Sequence, residues 1–105
     1  MKLLVHNPDV RVSKAVSDVI DKKVEKIKTR LKRYHPDVAD LEVRLNKLES
    51  GNEFECNLVL KAFKETLNAK KSGPDLRIAV DRSFDAMLRE LDHYRVKINK
   101  SLQTH

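Results

Sequence analysis

Apolar residues recur along this chain with two periods, and each change of period marks a new element. Leu3 and Val5 lie on one face of a short segment, Met1 to His6, that reads as a strand and is broken by Asn7, Pro8 and Asp9. Ser13 then offers an N-cap, and Val16, Ile20, Val24, Ile27 and Leu31 follow at helical spacing, with Ala15 and Val19 widening the stripe. This helix is expected to stop near Tyr34, because Pro36 disfavours helical geometry at His35.

From Asp40 the period falls to two. Leu41, Val43 and Leu45 alternate with Glu42, Arg44 and Asn46, and Ser50, Gly51 and Asn52 make a turn. Phe54, Cys56, Leu58 and Leu60 repeat the alternation in a second strand. In a third, from about Glu65 to Lys71, Leu67 and Ala69 face inward. Phe63 interrupts the alternation and is expected at a hairpin corner. Clean alternation means one covered sheet face and one wet face. Ser72, Gly73 and Pro74 are expected to end the sheet, and Asp75 to cap a second helix whose stripe is Leu76, Val80, Phe84, Met87, Leu88, Leu91, Tyr94 and Ile98.

The predicted fold is α+β with the order β-α-β-β-β-α: a four-stranded mixed sheet with two helices packed on one face. A right-handed parallel crossover is expected between the first two strands, and antiparallel hairpins among the rest. Residues 1–105 suit a single domain.

Charge changes the picture. The chain carries a net +6, and between Lys22 and Arg33 seven bases stand against one acid, Glu25. A second basic set, Arg82, Arg89, His93, Arg95, Lys97 and Lys100, follows the second helix. Two basic helices side by side predict adjacent ridges suited to phosphate, read by shape and charge more than by base. No apolar run approaches the roughly 20 residues of a membrane span. The single cysteine, Cys56, excludes an internal disulfide and suits a reducing, cytoplasmic setting. Cys56 is expected to be buried as a small apolar filler.

Catalytic chemistry finds little footing. Asp81 and Asp85 lie one turn apart, but pairing within the helix, Arg77 with Asp81 and Asp85 with Arg89, is the expected use of these charges. The four histidines are scattered without zinc spacing, and Gly51 and Gly73 form no phosphate-cradling loop. Neither an enzyme nor a cofactor is expected. Tyr34 and Tyr94 are expected at the seam between the helices.

Several stretches also resemble the ribosome hibernation promoting factor family, which includes the ribosome-associated inhibitor called factor Y. They are V-S-K-A-V at Val12 to Val16, K-V-E-K-I at Lys23 to Ile27, D-L-R-I-A-V-D-R-S-F-D at Asp75 to Asp85, and R-E-L with its following bases, Arg89 to Lys97. The resemblance covers nearly the whole chain and rests on order and spacing. It implies binding in the messenger and transfer-RNA channel of the small ribosomal subunit, against ribosomal RNA, so that idle ribosomes stop translating. It carries RNA contact to Lys23 and Lys26 on the first helix and to Arg89, His93 and Lys97 on the second. The basic pattern adds Arg30 and Arg82.

Ala86 and His93 stand where relatives often carry lysine. The resemblance then implies that Ala86 makes no phosphate contact here and that the one at His93 is pH-sensitive. The length matches the family's short form, for which the resemblance implies a separate modulation factor in ribosome dimerisation. Two other readings of the same pattern are a general double-stranded RNA-binding module and a regulator that docks on an acidic protein.

Overall fold

A computed structural model describes the backbone of residues 1–32, 39–49, 52–62 and 65–103, and side chains as far as residue 94. The element order is β1 (Lys2–His6), α1 (Lys14–Lys32), β2 (Ala39–Lys47), β3 (Phe54–Ala62), β4 (Glu65–Gly73) and α2 (Leu76–Gln103). This is the β-α-β-β-β-α pattern of the sequence. The expected helix stop near Tyr34, the turn at Ser50 and Gly51, and the corner at Phe63 lie outside the described residues.

Both helix starts follow from their capping side chains. Ser13 Oγ accepts from the Val16 amide at 3.2 Å, and Asp75 Oδ1 accepts from the Ile78 amide at 2.8 Å. Each satisfies an amide that has no partner inside its helix, a contribution of about 1 kcal/mol apiece.

The strands form one sheet in the order β1-β2-β3-β4. β1 runs parallel to β2, and β2–β3 and β3–β4 are antiparallel. Register places the apolar positions in rows. Leu41 faces Leu60, Val43 faces Leu58 and Leu45 faces Cys56, while Leu58 faces Ala69 and Leu60 faces Leu67. These rows join Val16, Ile20, Val24, Ile27 and Leu31 of α1, and Val80, Phe84, Met87 and Leu91 of α2, in a single core. One face is therefore dry and carries both helices.

Two details depart from the pattern. β4 continues through Ser72 to Gly73, past the expected stop. There α2 crosses so closely that a Cβ on Gly73 would stand 2.9 Å from Ile78 Cγ2 and 3.0 Å from the Ala79 nitrogen, so only glycine fits without displacement. Leu3 and Val5 share the covered face with Leu41 and Val43, yet remain 39% and 40% exposed because β1 is an edge strand that the helices only partly roof.

Ser83 is the one buried polar side chain in the described core. Its hydroxyl stands 2.9 Å from both the Cys56 and the Ala69 carbonyl oxygens, and its single proton serves the two acceptors. Cys56 is buried as expected, and desolvation pushes its thiol from an ordinary 9.0 to about 11.

Candidate nucleic-acid interface

The outer surface of the helix layer collects six of the predicted site residues, Lys23, Lys26, Arg30, Arg82, Arg89 and His93, though not as two adjoining basic ridges. Lys23 of α1 reaches across to α2, where its Nζ lies 3.4 Å from Asp85 Oδ1 and 3.8 Å from Asp81 Oδ1. Arg30 pairs with Asp92. In both Lys23–Asp85 and Arg30–Asp92 the partners are 62 residues apart in sequence, so seven residues along α1 match seven along α2. Equal advance on both elements requires the helices to run parallel and in step. The pairing expected inside α2, Arg77 with Asp81 and Asp85 with Arg89, gives way to this ladder. A carboxylate beside a half-buried lysine on the neighbouring helix makes a better-desolvated partner than one in open solvent.

The ladder divides the layer into stripes. On α1, Lys22 and Lys26 are exposed on the side beyond Lys23. Next comes the ion-paired seam, in which Lys23 and Arg30 face three carboxylates, Asp81, Asp85 and Asp92. Beyond it, Arg82, Arg89 and His93 are exposed along α2 at intervals of seven and four residues. They line a shallow groove of about 460 Å³ with Lys71 of β4, interrupted by the carboxylates of Asp85 and Glu90. Arg82 is oriented by a 2.9 Å bond from Nη1 to the Ser72 carbonyl. Lys26 and Arg89 have no carboxylate partner among the described residues.

Lys97 lies on the α2 backbone, but its side chain is outside the described residues, as are those of Arg95 and Lys100. The structure thus brings Arg82, Arg89 and His93 together, sets Lys26 across the seam from them, and commits Lys23 and Arg30 to acids. Lys71 was not singled out from the sequence, although strand parity places it on the same face as Ala69, under α2. The shared seven-residue spacing of Lys23 and Arg30 with Asp85 and Asp92 was the signal for the ladder.

Tyr94 is half-buried on the stripe of α2 that faces the sheet, not on the seam. Burial, and secondly the Glu65 carboxylate at the start of β4, raise its phenol pKa. Tyr34 lies outside the described residues. Among the described residues no three His, Cys, Asp or Glu side chains converge as a metal site, and no helix is long and apolar enough to cross a membrane.

The fold is thus an α+β sheet roofed by two parallel helices, with bases exposed on the outer layer. The family model of the sigma 54 modulation protein / S30EA ribosomal proteins matches residues 4–99, and the chain belongs to that family. This is the hibernation-factor family of the motif resemblance, and it is not known as an enzyme family. No curated protein matches the chain in sequence.

Solved structures share the fold. One is a ribosomal subunit interface protein from Coxiella burnetii, with a TM-score of 0.70 at 20% identity, covering 91% of this chain and 99% of that one. Another is the N-terminal domain of Protein Y from Thermus thermophilus, with a TM-score of 0.70 at 16% identity, covering 90% and 99%.

Proposed function

We propose that this protein binds the small ribosomal subunit in the messenger and transfer-RNA channel and inhibits translation by occupancy, in the cytoplasm. Family membership over residues 4–99 supports ribosome association. The observation that carries the finer reading is the set of exposed bases, Lys26 across the seam from Arg82, Arg89 and His93, on one rigid helix layer. Such a surface meets ribosomal RNA through phosphates. Each phosphate it neutralises releases condensed counterions, so affinity falls steeply with salt. With 5% aromatic residues, stacking contributes little and sequence readout is slight. The body of the protein then stands where messenger and transfer RNA pass, and no bond is made or broken.

Co-sedimentation with purified small subunits tests this. The chain is expected to pellet with subunits at low salt, to be released at high salt, and to compete with messenger and transfer RNA. Failure to pellet at low salt refutes the proposal. Equal affinity for a free RNA duplex in a gel shift would assign the surface to duplex binding instead.

A further inference from the structure

The edge of the sheet farthest from the Lys71 groove carries a second surface. Among the described residues β1 pairs with β2 on one side only, and its other side presents unpaired backbone groups. The exposed large hydrophobics among the described residues are all here: Met1 at 40%, Leu3 at 39%, Leu4 at 56% and Val5 at 40%. Strands β2 and β3 alternate buried with less buried positions, whereas β1 is apolar and exposed toward both faces. Soluble proteins usually protect such an edge with an inward charge, a proline or a bulge. β1 has only its shortness and Lys2 for protection: Leu3, Leu4 and Val5 contain no inward charge, proline or bulge, and the register from Lys2 to His6 against β2 is unbroken.

We infer that β1 is a self-association edge, pairing antiparallel with β1 of a second copy about a two-fold axis through Leu4. The five residues are self-complementary in that register. Leu4 meets Leu4 of the other copy, Leu3 meets Val5 on the helix-covered side, and Lys2 and His6 fall at the solvated ends. On the open face, Leu4 already forms one wall of an apolar depression of about 150 Å³ with Val59, rimmed by Lys2, Asp40, Glu42 and Lys61. A facing leucine would close it.

The helix layer accommodates the pairing. With α2 over β3 and β4, α1 lies toward the β1 side of the sheet, so the pairing brings the two α1 helices to either side of the axis and Leu3 and Val5 gain cover from the second copy. The β4 grooves with Arg82, Arg89 and His93 lie at the two outer ends. Five residues bury less than the roughly 1,200 Å² of a stable interface, so the dimer is weak and concentration-dependent.

Its salt response is opposite to that of RNA binding. Each copy carries +6, and screening this repulsion strengthens self-association, whereas counterion release weakens phosphate binding.

Sedimentation velocity of the RNA-free chain from roughly 0.01 to 1 mM, the range of weak interfaces, tests the inference. The wild type is expected to shift from 12.2 kDa toward twice that mass. The shift should grow with added salt and be lost in Leu4→Lys, a substitution at an exposed site that leaves the fold intact by circular dichroism. Oxidised Leu4→Cys should give a covalent dimer much faster than Asn68→Cys, on the open face of β4. A wild type that stays monomeric at 1 mM, Leu4→Lys that dimerises normally, or equal cross-linking of the two cysteine variants overturns it. These measurements contain no ribosome, so they succeed or fail separately from the proposed function.

Discussion

Replacing Asp81 and Asp85 together by asparagine should tighten binding to the small subunit, although neither residue is basic. These two carboxylates hold Lys23 Nζ at 3.8 and 3.4 Å. The double substitution keeps the side-chain volume, removes two negative charges beside Arg82 and Arg89, and frees one ammonium for phosphate. One further phosphate contact steepens the slope of log affinity against log salt by about 0.7–0.9. Extrapolated from 1 M salt, where counterion release vanishes, that slope gives a gain of roughly five- to eightfold at 0.1 M. The stability cost is small. Asp81 and Asp85 side chains are 42% and 55% exposed, and exposed pairs contribute about 0.2–1 kcal/mol each before screening. The assay is co-sedimentation or filter binding between about 0.05 and 0.5 M salt, a range wide enough to resolve a unit change in slope. Glu25→Gln is the control. It frees Lys28 instead, which the helical period places well round α1 from Lys23. An unchanged slope in the double variant, or an equal gain from Glu25→Gln, would refute the assignment of the seam to the interface.

Lys26→Glu with Arg89→Glu should weaken subunit binding by at least tenfold, with a melting temperature within a few degrees of wild type, because both side chains are exposed. Ser83→Ala should cost about 1–3 kcal/mol in denaturant unfolding, since two buried carbonyls lose their shared donor. Gly73→Ala should cost a similar 1–3 kcal/mol, because the nearest obstacles include the backbone nitrogen of Ala79 and β4 must part from α2. Stability should also decline in alkali. The folded state holds the Cys56 proton up to about pH 11, while the unfolded thiol releases it near 9.0. The stabilisation is complete below pH 9 and is lost between 9 and 11, by roughly 2–3 kcal/mol. Cys56→Ala should flatten that part of the stability profile.

Local rules made most of the fold legible. The strand parity of Leu41, Val43 and Leu45, the stripe from Val16 to Leu31, and the caps Ser13 and Asp75 depend on neighbours within a turn or across one hairpin. What the sequence obscured depends on how one element is rotated against another. Asp85 has Arg89 four residues away and Lys23 sixty-two away. Spacing along the chain favours the first, and helix packing selects the second. The same holds for Lys71, whose inward parity was readable but whose place beneath Arg89 required the α2 axis. The exposure of Leu3 and Val5 is likewise a property of the sheet's edge and not of their own alternation.

The ladder between the helices also acts as a detent. Sliding α1 one turn, about 5.4 Å, toward the start of α2 would bring Arg30 against Leu88 and Arg89, away from Asp92. Sliding it one turn the other way would set Lys23 against Arg89. Either shift separates Arg30 from Asp92, and the second also sets like charge together, so whatever docks on this layer meets bases at fixed separations rather than on two rods free to creep past one another.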